Sequence, residues 1–149
     1  MNYNIVSSLS VDLKIEDQQV FHPIMGSRTS PAKRRIYWKA AYNFFLSSTI
    51  NNPGQKHILY TNDEEEYSYR GFQFKNEIKK LGVDVRYLPF SKYYIPGDLS
   101  KRFKNAYYKF EVISALQYEP LPSIIMDLDC LWIKPIKNNG PTISIPEYS

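Results

Sequence analysis

The chain has 149 residues, of which 43% are hydrophobic and 23% charged, a length and balance that fit one globular domain and exclude a repeat array or a disordered polymer. Its formal charge of +4 leans mildly toward anionic partners such as nucleotides, phosphates, nucleic acid or acidic lipid head groups, the alternative being a solvated surface that happens to be basic. A single cysteine, Cys130, excludes an internal disulfide and a cysteine-based zinc site, and it reads as a small apolar core residue.

Residues 3 to 9, YNIVSSL, predict an opening strand, and residues 10 to 29 show no regular period. SPAKRR then starts a helix, with Ser30 as N-cap and Pro31 at the first helical position. Tyr37, Ala40, Ala41, Phe44 and Phe45 follow at helical spacing until NNPG, residues 51 to 54, ends it. HILY, 57 to 60, reads as a short buried strand. DEEE, 63 to 66, reads as the solvated start of the next helix, where carboxylates favour the positive end of the dipole. Phe74, Ile78 and Leu81 mark that helix, and Gly82 suits a left-handed C-cap.

VDVRYL, 83 to 88, is the third predicted strand. The loop PFSKYYIPGD leads to a long helix from about Leu99 to Tyr118, carrying Phe103, Tyr107, Phe110, Ile113 and Leu116. Tyr93 and Tyr94 in that loop read as packing residues that could also shape a cleft. SIIM, 123 to 126, is the fourth strand. Strands alternating with helices predict an α/β sandwich around a mostly parallel, buried sheet, in one domain spanning 1–149. His22 and His57 have no partner at metal-ligand spacing and read as structural. The chain's start has no basic segment leading into an apolar stretch, and no segment approaches the roughly 18 apolar residues of a membrane helix, so a cytoplasmic location is expected.

The fourth strand carries the chemistry. In SIIMDLDCLWIKPI, 123 to 136, an apolar run delivers Asp127 and Asp129 one residue apart. An ionised carboxylate in an apolar setting is costly unless it is paired or binds a cation. Extended backbone would point both carboxylates the same way, toward a hard cation such as Mg²⁺ or Mn²⁺ that shares its oxygen ligands with a phosphate. In open α/β sheets the ligand site lies beyond the carboxyl ends of the strands, where this pair stands. The alternative at this level is that the aspartates merely end the strand in a turn.

The stretch RFKNAYYKFEVISALQYEPLPSIIMDLDCLWIKPI resembles the central segment of GT-A fold glycosyltransferases, especially the glycogenin-like and bacterial lipopolysaccharide-type sugar transferases. There a basic residue in a helix precedes an apolar strand ending in D-x-D, followed by apolar residues and often a Lys-Pro pair; Lys109, Asp127, Asp129, Lys134 and Pro135 occupy those places. The resemblance covers roughly residues 55 to 137. It implies a Rossmann-like GT-A fold, a nucleotide-diphospho-sugar donor with UDP-sugars foremost, and Mn²⁺ or Mg²⁺ held by the aspartates. It further implies Asp129 as the more direct metal ligand, Asp127 as a contact to sugar or ribose as well as metal, and Lys109 or Arg102 as a positive charge beside the donor. Val6, Ser7 and Ser8 of the opening strand and Asp63 after the second strand would meet the nucleoside.

GT-A enzymes of this kind usually continue for a hundred or more residues past the motif, whereas here 20 residues follow Asp129, enough for one or two strands. The expectation is a fold truncated after the D-x-D, in which donor binding is more secure than catalysis. A fragment, a minimal transferase completed by an oligomeric partner, and a noncatalytic nucleotide-sugar-binding module all fit, the rival being an interaction module whose basic surface and tyrosines bind RNA or a protein while the aspartates are structural. No nucleic acid partner is expected, and peripheral membrane contact is compatible with the charge. IIMDLDCLW also resembles the first motif of haloacid dehalogenase-type phosphatases, although that motif normally opens its domain.

Overall fold

The computed structural model describes residues 2–11, 31–94 and 104–136. In chain order these form β1 (Asn4–Leu9), α1 (Pro31–Asn51), β2 (Lys56–Thr61), β3 (Ser68–Tyr69), β4 (Phe72–Gln73), α2 (Phe74–Lys80) and β5 (Asp84–Tyr87). A 3₁₀ turn (Lys104–Tyr107) then runs into α3 (Tyr108–Leu116), and β6 (Ser123–Ile125) follows. Strands β5, β2, β1 and β6 make one sheet in that order, with every pairing parallel.

The apolar runs of β1 and β2 are explained by burial on both faces, the usual condition of a parallel sheet whose crossovers carry helices. Side chains alternate across the strand. Ile5, Leu9 and Leu59 therefore meet Trp38, Phe44 and Phe45 of α1 and Ile78 of α2 on one face. Val6, Ile58 and Tyr60 meet Tyr108 and Val112 of α3 on the other. The predicted α/β sandwich with a parallel sheet is the fold observed.

Short β6 is fixed by polar groups of buried β1. Asn4 Nδ2 donates to Leu121 O at 3.3 Å and to Ser123 Oγ at 3.2 Å, and the Asn4 N–H donates to Pro122 O at 2.8 Å. Past the last paired residue, Ser7 Oγ donates to Met126 O at 2.7 Å, while the Met126 N–H donates to Val6 O at 2.9 Å. The strand is clamped at both ends.

Two expectations need correction. DEEE does not start a helix: the chain instead makes the β3–β4 hairpin, and α2 begins only at Phe74. The hairpin turn has Arg70 at φ 50° and Gly71 at φ 81°, the two positive values of a tight two-residue turn. The last helix is not continuous over its expected span: among the described residues, Lys104–Tyr107 is 3₁₀ and regular α-helix covers Tyr108–Leu116. Ser30, His22, Phe103 and the tail from 137 lie outside the described residues. Among the described residues no helix is long and apolar enough to cross a membrane.

Candidate functional site

The sheet order creates one natural crevice. From β1 the chain moves outward to β2 and β5 on one side, then returns to place β6 on the other side of β1. Elements packed against the two faces, α1 after β1 and α3 before β6, diverge at this reversal, and ligands of open α/β sheets bind at such points. A cleft of about 340 Å³ lies there, lined by Ser8, Leu9 and Ser10 after β1, Ile36, Tyr37 and Ala40 of α1, and Asp127, Leu128 and Asp129 after β6. That volume suits part of a small-molecule ligand.

Both predicted carboxylates line this cleft and are exposed. They do not project from extended backbone, however. β6 ends at Ile125, and the Cys130 N–H donates to Asp127 O at 3.3 Å, closing a turn over 127 to 130. A turn with small polar residues frees the two carboxylates from the strand's packing while keeping both at its carboxyl end. Lys109, on the first turn of α3, forms an ion pair with Asp127 Oδ1. Both side chains are about half exposed, so solvent weakens the pair and leaves it free to open. Asp129 receives only the weak Cys130 thiol donor, at 3.8 Å, and no cationic side chain lies in ion-pair range of it among the described residues.

Other anticipated residues stand elsewhere. Val6 is buried in the core between the sheet and α3, and the Ser7 hydroxyl is spent on Met126 O; of the three β1 residues proposed for the nucleoside, Ser8 alone lines the cleft. Asp63 is 3% exposed and turned inward. Its carboxylate accepts from Arg34 Nε at 2.8 Å, Arg34 Nη2 at 2.5 Å and Trp38 Nε1 at 3.0 Å. Arg102 lies outside the described residues. Lys134 and Pro135 are exposed.

Tyr93 packs near Phe110 and Tyr94 against Phe90, and the loop bearing them is held by buried Glu111, whose Oε1 accepts the N–H groups of Ser91 at 3.0 Å and Tyr93 at 2.7 Å. His57 is buried within 2.8 Å of Ser48 Oγ, and burial pushes its pKa below the ordinary imidazole value. Cys130 is half-buried against the core. Sequence reasoning missed Ile36 and Tyr37 as cleft walls, because helical spacing marks a face but not which part of it looks onto the end of a neighbouring strand.

No cluster of three or more His, Cys, Asp or Glu side chains that could hold a metal occurs among the described residues. Two carboxylates are too few for a dedicated protein cage. They fit a hard cation that draws the rest of its shell from water and substrate phosphates, as Mg²⁺ commonly does. Comparison with protein-family models, with curated proteins and with solved structures finds no match to this chain.

Proposed function

We propose that this chain is the donor-binding domain of a metal-dependent glycosyltransferase of the GT-A type, taking a nucleotide-diphospho-sugar, with UDP-sugars foremost. One observation carries the reading: the D-x-D turn stands at the carboxyl end of β6, at the sheet's reversal, and shares a cleft with the end of β1 and the side of α1. Asp127 and Asp129 would hold Mn²⁺ or Mg²⁺ against the donor diphosphate. When bound, the cation would act as a Lewis acid, neutralising the charge that grows on the leaving nucleoside diphosphate.

The remaining work falls to the chain's own side chains. Lys109 neutralises Asp127 while no cation is present and turns toward the diphosphate once Asp127 has a stronger partner. Ser8 and Ser10 offer hydroxyls to the nucleoside, and Tyr37 and Ile36 wall the cleft against water. Because the protein offers two carboxylates, donor and cation should bind together and each poorly alone.

Thermal unfolding of the chain with Mn²⁺ and a panel of UDP- and GDP-sugars tests this. A donor at a hundredfold excess over its dissociation constant raises stability by about 2.7 kcal/mol. The expected result is a shift that needs both Mn²⁺ and one donor and disappears with chelator or in Asp129→Ala. A folded protein that shows no shift with any pair refutes the proposal.

A further inference from the structure

Across α1 from its packed face lies a second feature. Ile36, Lys39, Asn43, Leu46 and Ile50 recur at alternating intervals of three and four, so they form one stripe along the helix. Ile36 is 55% exposed and Ile50 69%. The segment after the acidic turn extends this surface. The Trp132 N–H donates to Ser47 Oγ at 3.1 Å and Asn51 Nδ2 donates to Trp132 O at 3.0 Å. These bonds set Leu131 and Ile133, 64% and 87% exposed, beside the second half of α1. Single exposed aliphatics are ordinary, but four around one helix mark a contact surface.

The other flank of the stripe is cationic. The Arg35 guanidinium lies 4.6 Å from the centroid of the Tyr69 ring, the Lys39 ammonium 5.6 Å and the Arg70 guanidinium 5.3 Å. No carboxylate is in ion-pair range of these three among the described residues. All three cations thus gather around a single phenol ring, which concentrates positive charge on this flank. Arg70 also occupies the left-handed region at φ 50°, in a turn that ordinarily takes Asn, Asp or Gly. An exposed arginine in a turn that favours smaller residues leaves its charge available to an external anion.

We propose that the outer face of α1, with the β3–β4 hairpin tip, binds an anionic lipid surface. Arg35, Lys39 and Arg70 meet the head groups, while Ile36, Ile50, Leu131 and Ile133 enter the acyl boundary. A polynucleotide is the poorer fit, because single strands bind through open aromatic faces, and here the ring is ringed by its own cations and flanked by aliphatics. Ile36 also lines the cleft, so the cleft mouth opens at the rim of the lipid-facing surface.

Sedimentation of the full chain with phosphatidylcholine vesicles, with and without phosphatidylserine, tests the inference. The chain should sediment only with phosphatidylserine present and be released by salt. Combining Arg35→Gln, Lys39→Gln and Arg70→Asn should weaken binding by roughly a hundredfold, about fivefold for each cation lost. Ile36→Ser with Ile50→Ser should also weaken it, with the unfolding temperature little changed. Arg70→Asn alone should raise that temperature, because asparagine tolerates the left-handed turn. Equal binding to both vesicle types, binding to neither, or a cation or isoleucine variant that sediments like the wild type would overturn the proposal. So would an oligonucleotide that binds in place of the vesicles and ignores the isoleucine changes.

Discussion

Replacing Asp63 by Asn isolates what that buried carboxylate does. In the native chain its two oxygens receive three hydrogen bonds, two from Arg34 and one from Trp38 Nε1. Asparagine keeps one acceptor, loses the charge and turns an amide donor toward donors that have nothing to accept it. Removing one member of a buried ion pair costs about 3–5 kcal/mol. Arg34 is 25% exposed, so water recovers part of its share, and a loss of about 2–3 kcal/mol is expected. For a chain of this size that corresponds to a fall in Tm of about 5–10 °C. A urea titration reads the same loss as a lower midpoint at unchanged slope. In a double-mutant cycle with Arg34→Met, the second change should cost much less once the first is made. A variant as stable as the wild type that fails to bind donor would refute this reasoning and return Asp63 to the nucleoside site.

His57 is held neutral by burial, so below about pH 6.5 the unfolded chain binds the extra proton and native stability is lost as pH falls; the slope of urea midpoints against pH should flatten in His57→Gln. The hydrogen bond from Arg86 holds the Glu119 carboxyl below its ordinary value of 4.5, so its contribution is complete above that pH and lost as pH falls through the lower folded value. Glu119→Gln should be less stable than the wild type at neutral pH and converge with it in acid, as read by thermal unfolding. Lys109→Met removes a half-exposed pair and should change stability by less than about 1 kcal/mol, while donor affinity, read by calorimetry, falls.

The two central strands were legible because both are buried on both faces, so the runs YNIVSSL and HILY need no partner information to be read as strands. The position of the acidic pair was legible because the apolar run 124 to 126 ends where Asp127 begins. What period two could not foretell was the turn at 127 to 130, since the Cys130 N–H closes back onto Asp127 O instead of continuing extended. DEEE misled because its first member is neutralised by Arg34, 29 residues away on α1, a pairing that only the tertiary fold creates. The β3–β4 hairpin escaped because its turn pairs glycine with arginine, a residue that rarely accepts positive φ.

The clamps that Asn4 and Ser7 place on β6 bear on how this site could change. A strand of three residues has few ladder bonds to define its alignment, and a slip by one position would turn every side chain to the opposite face. Here a slip would also strand the Asn4 amide and the Ser7 hydroxyl without their carbonyl partners, inside a core where an unmade hydrogen bond is expensive. Alignment is thus written into β1, upstream of the residues that would do the chemistry. The loop beyond Met126 can be lengthened, shortened or rewritten while the strand that presents it stays in place, and the platform is separable from whatever ligand set it carries.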